Sequence, residues 1–295
     1  MKGERAFIDA LRMFAGDPAA RRLADDAAVL ELGLADGPQA LVLTHDMMVE
    51  GVHFLPGQDP ADVAWKLVAC NLSDLAAKGA RPLGVLLGYM LGADDERFLL
   101  GLAEVLARYN VPLLGGDTVS GGPPRALGLT AIGRAAHRPV PSRAGARNGD
   151  ALYVTGTLGA AMLGFEALRD STGADSAAFR RPLPRIEEGV ALAPLVTAMM
   201  DISDGLLLDA WRLAEASGTS LAIEGPAVPI AAPEDRRLAA LTWGDDYELL
   251  FTLPAEVAPP VPATRIGTVE PRGFAPLFLD GEPIVNEEGL GYRHG

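Results

Sequence analysis

The sequence predicts an α+β protein of two domains. Short apolar runs typical of strands alternate with amphipathic helices, but no sustained strand–helix–strand repeat indicates a doubly wound sheet. At 295 residues the chain is long enough for two domains that each bury a hydrophobic core. Segment 137–150 is rich in Arg, Pro and Gly, as linkers are, and places the boundary near Ala146. We therefore expect an N-terminal domain over residues 1–146 and a C-terminal domain over residues 147–295.

The clearest element of the N-terminal half is a helix from Pro60 to Lys78. Asp59 is placed to cap its first turn, Pro60 suits its first position, and Gly79 followed by Pro82 ends it. The other elements of this half follow from apolar periodicity. We expect strands at residues 27–30, 40–44, 83–91, 111–114 and 126–134, an extended piece at 51–55, and a helix after Asp94.

The C-terminal half also mixes helices with strands. Its apolar runs predict helices at residues 159–168, 186–196 and 206–216, and strands at 151–155, 221–224, 248–253, 264–269 and 275–279. Residues 169–180 are polar and are expected to form a mobile loop.

The composition limits the classes of function. A formal net charge of −14 argues against nucleic acid and anionic membranes as partners, because basic patches bind both. The single cysteine, Cys70, excludes an internal disulfide framework, and its apolar neighbours predict a core residue. No apolar run has the roughly 20 residues of a membrane span, and the N-terminus does not have the pattern of a signal peptide. We expect a cytoplasmic protein.

Two similar acidic phrases stand out, Asn71-Leu72-Ser73-Asp74 and Asp201-Ile202-Ser203-Asp204. Each lies beside an apolar run, and the first interrupts a helix that is otherwise small and apolar. A buried carboxylate costs several kcal/mol unless it is paired or binds a metal. The two phrases therefore suggest two acidic turns that face one site.

Further carboxylates are expected at strand ends or at turns into helices. Any one of them is explained most simply as a turn residue or a helix cap. As a set they suggest Mg²⁺, which binds through a few carboxylates together with substrate phosphates. The set consists of Asp25, Asp26, Asp46, Asp74, Asp117, Asp201 and Asp204.

Several familiar sites are excluded. Asp201 lacks the alternating ligands and closing Glu of an EF-hand. The sequence has no phosphate-binding P-loop and no Gly-x-Ser-x-Gly nucleophile turn. The neighbouring His45 and His53 do not form a zinc-binding motif.

Six phrases in order resemble those of the thiamine-monophosphate kinases, a family of the aminoimidazole ribonucleotide synthetase-like superfamily. The resemblance extends from about Gly3 to Tyr292. The phrases are Ala24-Asp25-Asp26-Ala27-Ala28-Val29, Asp46 with Val49-Glu50-Gly51-Val52-His53-Phe54, Asn71-Leu72-Ser73-Asp74, Gly115-Gly116-Asp117-Thr118, Met200-Asp201-Ile202-Ser203-Asp204-Gly205 and Asp246-Tyr247-Glu248-Leu249.

The resemblance implies a two-domain, PurM-like fold and an ATP-dependent kinase. The N-terminal mixed α/β domain would bind ATP and Mg²⁺ and pair in a homodimer. The C-terminal α/β sheet domain would complete the nucleotide and substrate site. The implied reaction is direct in-line transfer of the γ-phosphoryl group of ATP to the phosphate of thiamine monophosphate, with several Mg²⁺ ions, to give thiamine diphosphate.

The resemblance also implies roles for individual residues. The implied Mg²⁺ ligands are Asp26, Thr44, Asp46, Asp74, Asp117, Asp201 and Asp204, of which Asp46, Asp74, Asp117 and Asp204 would be catalytic. The implied nucleotide contacts are Gly116, Asp117, Arg143 and Ser203, and the implied substrate contacts are His53, Asp245 and Tyr292.

Three departures from the family pattern occur. Ala24 replaces a Gly, His45 stands where a Thr or Ser oxygen reaches metal, and Trp243-Gly244-Asp245 replaces Gly-Gly-Glu. Trp243 either covers part of the substrate or packs into the domain.

The residues fit this chemistry independently of the resemblance. A phosphate monoester has a second pKa near 6, so the acceptor is already ionised at neutral pH and needs no general base. Metal ions and a cation such as Arg143 would offset the charge of two polyanions brought together. Three alternatives remain: another ATP-dependent enzyme of the superfamily, a non-catalytic nucleotide-binding regulator, and a structural dimer whose Asp clusters bind stabilising cations.

Overall fold

The computed structural model describes residues 4–12, 15–34 and 37–293. These residues form two mixed β-sheets with helices packed on them, one sheet in each half of the chain. The α+β class and the division into two sheet-containing domains are thereby confirmed. Within the described ranges, no helix combines the length and the apolar character that a membrane span requires.

The N-terminal sheet has five strands in the order β1-β2-β5-β3-β4. All neighbours are antiparallel except β3 and β4, which are parallel. A 3₁₀ turn at Pro18–Leu23 precedes the first strand. The elements are α1 (Glu4–Leu11), β1 (Ala28–Leu34), β2 (Gly37–Val49), α2 (Pro60–Ala77), β3 (Ala80–Met90), α3 (Asp95–Tyr109), β4 (Leu113–Val119) and β5 (Ala126–Ala135).

The C-terminal sheet has seven strands in the order β12-β11-β8-β10-β6-β9-β7. Only β8 and β11 pair in parallel among these strands. The elements are β6 (Ala151–Val154), α4 (Ala160–Arg169), α5 (Ala177–Arg180), α6 (Ile186–Leu192), β7 (Ala198–Asp201), α7 (Leu206–Ser217), β8 (Ser220–Ile223), α8 (Arg237–Trp243), β9 (Leu249–Leu253), β10 (Thr264–Glu270), β11 (Leu277–Leu279) and β12 (Glu282–Ile284).

Helix α2 joins the two halves. Asp59 caps it as predicted, accepting a hydrogen bond of 2.9 Å from the amide of Ala61. The helix is buried on nearly all sides, because it packs on β2, β3 and β5 and also on α3, α6 and β7. One hydrophobic cluster accordingly runs from Val42 on β2 through Leu67 on α2 to Phe251 on β9. The two sheets therefore share a core.

Strands β2 and β4 are longer than expected. Asp46 and Asp117 were predicted to follow strand ends, but both lie inside strands. The reason is that the neighbouring strands continue the hydrogen-bonded ladder, pairing Asp46 with Leu129 and Asp117 with Gly88. Alternation along β2 places Thr44 and Asp46 on the face that α2 covers and His45 on the opposite, exposed face.

The expected loop at residues 169–180 is confirmed only for residues 170–176, and the rest of the segment is helical. This segment contains the end of α4 and the short helix α5. Arg180 and Arg181 each form a 2.5 Å ion pair with Asp62, a buried carboxylate in the first turn of α2. The indole of Trp65 also donates a 2.9 Å hydrogen bond to the carbonyl of Pro182. These contacts fasten the segment to α2.

We expect Gly189→Ala to destabilise the protein. Gly189 of α6 lies so close to α2 that an added methyl group would be 2.0 Å from the carbonyl oxygen of Ala76. Alanine is the better helix former by about 1 kcal/mol. Overpacking typically costs about 1–3 kcal/mol, and more against backbone atoms, so the clash should prevail and lower the melting temperature. Gly122→Ala is the control, because no atom lies within 4 Å of its added methyl group. Equal melting temperatures for the two variants would contradict this account of the α2–α6 contact.

Candidate functional site

Three carboxylates from distant parts of the chain meet beside α2. Asp26 lies in the loop before β1, Asp74 in the last turns of α2, and Asp201 at the end of β7. One carboxylate oxygen from each lies within 4.8 Å of the others. Both acidic phrases of the sequence contribute to this group, as predicted. We call these three residues the acidic centre.

The polar phrase on α2 contacts two different strands within one turn. The side-chain oxygen of Asn71 accepts a 3.1 Å hydrogen bond from the amide of Asp46 on β2. Ser73 donates a 2.6 Å hydrogen bond to Asp201 on β7, and Asp74 accepts one from the hydroxyl of Thr44. A helix places residues three and four apart side by side, so this phrase fixes β2 and β7 relative to each other.

Burial and mutual repulsion make these carboxylates hard to ionise. Burial, followed by the charge of Asp204, raises the pKa of Asp46 to about 6. Burial also raises the pKa of Asp201 to about 6. For Asp74, burial and then the charges of Asp46 and Asp201 lift the pKa well above its usual range. Near neutral pH, a cation among them therefore lowers the electrostatic cost of the group.

Three basic side chains lie against one side of the acidic centre. Lys78 forms ion pairs of 2.6 Å with Asp25 and 2.5 Å with Asp26. Arg143 pairs with Asp26, and Arg21 pairs with Asp25 at 2.5 Å. Burial opposes ionisation of Asp25, but Lys78 and Arg21 outweigh it and lower its pKa to about 2. Asp25 is thus a structural counter-ion, whereas Asp26 faces both the cations and the acidic centre.

Asp209 of α7 holds the second acidic turn, residues 201–204, in place through hydrogen bonds. This buried carboxylate accepts hydrogen bonds from the amides of Ser203, at 3.1 Å, and Asp204, at 3.0 Å. Arg212 pairs with both Asp204 and Asp209. Burial, with the charge of Asp204, raises the pKa of Asp209 to about 7. The sequence prediction missed Asp209, although an Asp in the first turn of a helix after an acidic turn is a recognisable capping pattern.

The expected substrate contacts come together beside the first half of α2. The rings of His53 and Tyr292 face each other edge-on with centroids 6.5 Å apart. Lys66 of α2 donates to the carbonyl of His53 at 3.1 Å and to the carboxylate of Asp245 at 2.8 Å. The amide of Tyr292 donates to the carbonyl of Asp204 at 2.9 Å, which links this pocket to the second acidic turn. Sequence reasoning missed Lys66, although a lysine inside a buried helix is itself a signal.

Two further side chains complete the description of this pocket. The buried thiol of Cys70 contacts the hydroxyl of Tyr247 at 2.9 Å, and that hydroxyl donates to Asp245 at 2.9 Å. Cys70 is therefore a core residue, as predicted. Trp243 is half-buried and packs on Phe165 with ring centroids 5.0 Å apart. This contact favours the packing interpretation of Trp243.

Asp117 does not join the acidic centre within one chain. Strand pairing aligns Asp117 with Gly88, Gly128 and Met47 in one row across the sheet. Residues in one row project from the same face, so Asp117 lies on the exposed face, opposite Asp46. His45, which departs from the family pattern, also lies on this face, where its ring contacts Thr130 at 2.8 Å. The alternation of side chains along a strand shows which residues share a face, but it does not show which face is covered by α2 and which is exposed.

Gly116 lies in the neighbouring row. Pairing aligns it with Leu87, Leu129 and Asp46, on the face that α2 covers. Its φ of +153° lies in the region that favours glycine, and an added methyl group would be 2.0 Å from the carbonyl oxygen of Leu87. Only glycine fits this close approach of two strands.

The donor chemistry of the acidic centre fits Mg²⁺. Its available atoms are carboxylate oxygens, together with the hydroxyl of Thr44 beside Asp74, and hard oxygens are the ligands that Mg²⁺ prefers. Among the residues that the structure describes, this is the one group of three acidic, His or Cys side chains close enough to share an ion.

Family models match both halves of the chain. The N-terminal domain of AIR synthase related proteins matches residues 24–135, and their C-terminal domain matches residues 147–275. Together the two matches cover most of the chain.

Individual relatives match the chain over almost its full length. A thiamine-monophosphate kinase from Haemophilus influenzae is 37% identical over 308 residues, covering 92% of this chain and 93% of the relative. One from Caulobacter vibrioides is 37% identical over 310 residues, covering 95% of this chain and 87% of the relative. The structure of AaThiL complexed with AMPPCP and TMP has a TM-score of 0.86 and 31% identity, covering 99% of this chain and 97% of that one. This chain therefore belongs to the thiamine-monophosphate kinase family.

Proposed function

We propose that this protein is a kinase that transfers the γ-phosphoryl group of ATP to the phosphate of thiamine monophosphate, giving thiamine diphosphate. The observation that carries the proposal is the hydrogen bond between the amide of Tyr292 and the carbonyl of Asp204. It connects the aromatic pocket to the second acidic turn, which supports a reaction between a thiamine phosphate and a metal-bound nucleotide. The relative solved with AMPPCP, an ATP analogue, and TMP supports the same pair of substrates.

Mg²⁺ is the proposed metal, held by Asp26, Asp74 and Asp201. Asp46 and Asp204 lie close enough to add negative charge to this site, since the charge of Asp46 raises the pKa of Asp74 and the charge of Asp204 raises the pKa of Asp46. Thr44 orients Asp74 through its hydroxyl. When bound, the ions supply positive charge that offsets the repulsion between the two phosphate groups.

The protein's own groups position the reactants for in-line transfer. Arg143, which pairs with Asp26 beside the acidic centre, is a candidate for binding nucleotide phosphates. Ser203 and Gly116 are the further nucleotide contacts that we propose. The acceptor phosphate is already ionised at neutral pH, so positioning and charge neutralisation, rather than a general base, would provide the catalysis.

The thiamine end of the substrate is proposed to lie against His53, Tyr292 and Asp245. Aromatic faces attract a permanently cationic ring such as the thiazolium. Asp245 already carries an ion pair with Lys66, so this carboxylate offers hydrogen-bond acceptors rather than an unpaired negative charge. The aromatic pair should therefore contribute more to binding the cation than Asp245 does.

We further propose a homodimer that pairs through the exposed face of the N-terminal sheet. Large apolar side chains on or beside this sheet are exposed, including Met47, Leu114 and Val119 at 55%, 56% and 52%. A cluster of this kind is typical of an interaction surface. Pairing there would place Asp117 at the interface, so its proposed role in metal and nucleotide binding belongs to the dimer.

The direct test is to incubate the protein with ATP, Mg²⁺ and thiamine monophosphate. We expect ADP and thiamine diphosphate to form in equal amounts. Binding of both substrates without product would instead indicate a nucleotide-binding regulator. ATP consumption only with a different acceptor would indicate another enzyme of the superfamily, and failure to bind ATP would indicate a structural dimer.

We expect Asp74→Asn to lower turnover by a factor of roughly 100 or more while the protein stays folded. The change removes one charge from the acidic centre, where burial and two neighbouring carboxylates already disfavour ionisation. Without metal, the melting temperature should therefore stay the same or rise. Asp170→Asn, at an exposed carboxylate paired with Arg169, is the matched control. Near-normal turnover in Asp74→Asn would refute the metal assignment.

We expect Tyr292→Ala to raise the KM for thiamine monophosphate by about 2- to 30-fold, the range that corresponds to a cation–π contact. The KM for ATP should not change. Tyr292 is 40% exposed, and its amide bond to Asp204 survives the substitution, so stability should change little. Phe274→Ala removes a ring that is 78% exposed and precedes β11, near the edge of the second sheet opposite β7, and should change neither KM. An unchanged KM for thiamine monophosphate in Tyr292→Ala would remove this residue from the pocket.

A further inference from the structure

The two fully buried lysines of the described chain lie in the first half of α2 and at its C-terminal end. Lys66 is 1% exposed and Lys78, the residue that ends the helix, is 0% exposed. Lysines are almost never buried completely unless they are paired, because an ammonium loses its hydration in the core. Lys66 has a partner in the substrate pocket, Asp245. Lys78 has no part in the function proposed above.

Lys78 lies among three oxygen atoms. Its ammonium is 2.6 Å from Asp25, 2.5 Å from Asp26 and 3.4 Å from the carbonyl of Met199 on β7. The side chains of both carboxylates are only 3% exposed. Two carboxylates and a carbonyl around one buried positive charge form the kind of ligand set that binds an inorganic cation.

The charge of Lys78 also acts on the acidic centre. Asp26 belongs to both groups, since it pairs with Lys78 and supplies an oxygen to the acidic centre. The same ammonium opposes the effect of burial on Asp74 and Asp201, lowering the pKa that each would otherwise have. Burial works against the ammonium itself and lowers the pKa of Lys78, so it is stabilised there by its carboxylate partners.

We propose that Lys78 is a built-in cation of the acidic centre. Its ammonium stands between Asp25 and Asp26, where a bound ion would otherwise be needed, and it holds Asp26 in place before Mg²⁺ binds. Lys78 is therefore a positioning residue that acts through Asp26. This inference rests on the proposed Mg²⁺ site, but it concerns the metal-free protein and does not depend on the identity of the phosphate acceptor.

The test compares Lys78→Met with Lys66→Met, measuring melting temperatures in EDTA and in saturating Mg²⁺ without nucleotide. Methionine keeps the length and removes the charge at two equally buried positions of one helix. Each variant should lose about 5 to 15 °C in EDTA, because each removes the lysine partner of a buried or half-buried carboxylate. Mg²⁺ should recover at least half of the loss in Lys78→Met, by occupying the space between Asp25 and Asp26. The loss in Lys66→Met should be the same in both conditions.

Equal losses of Lys78→Met in EDTA and in Mg²⁺ would overturn the proposal and leave the ammonium a purely structural partner. If Lys78→Met does not fold in EDTA, the double variant Lys78→Met/Asp25→Asn removes one of the two carboxylate charges that lose their lysine partner but keep an arginine. Its melting temperature should still rise more in Mg²⁺ than that of the wild type, and an equal rise would also overturn the proposal. The melting temperature of the wild type with ATP, measured in Mg²⁺ and in EDTA, distinguishes a failure of the Lys78 proposal from a failure of the proposed Mg²⁺ site. If Mg²⁺ does not increase its stabilisation by ATP, the metal site itself is wrong, whatever Lys78 does.

Discussion

Repulsion between buried carboxylates is the interaction around which this molecule is arranged. Asp46, Asp74 and Asp201 each have a raised pKa because they are buried close together. Such a group is stable only where the surrounding structure holds it rigidly and supplies positive charge. Helix α2 provides the rigidity, since it is packed against both sheets and bonded to β2 and β7 through Asn71 and Ser73.

The same helix contacts two polar sites that differ in their charged groups. Lys66 and Lys78 are twelve residues apart, which is roughly 18 Å along a helix axis. Near Lys66 the pocket combines one ion pair with aromatic rings, an environment that suits an organic cation. Near Lys78 the carboxylates outnumber the fixed cations, an environment that suits metal ions and the phosphates they bind. A rigid helix between the two sites sets the distance at which the two ends of an extended substrate would be held.

Much of the local structure was predictable because its causes lie close together in the sequence. Asp59 and Pro60 set the start of α2, and apolar periodicity located most strands and the longer helices. The errors arose where a distant partner prevailed over local signals. Asp46 and Asp117 resemble strand ends locally but are held in strands by the ladders beside them. The polar segment 169–180 resembles a loop but is fastened by Arg180 and Arg181 to Asp62 on α2.

The sequence by itself determined the α+β class, the pairing of two acidic phrases and the membership of the chain in its family, because each depends on residue types and spacing. Only the tertiary structure decided which carboxylates meet. It brings Asp26 to Asp74 and Asp201, and it places Asp117 on the opposite face of its sheet. It also shows the contacts of Lys66 and Lys78, single residues whose partners lie far away in the sequence. A charge has a large effect only where water is excluded, and burial is a property of the packed chain rather than of any segment.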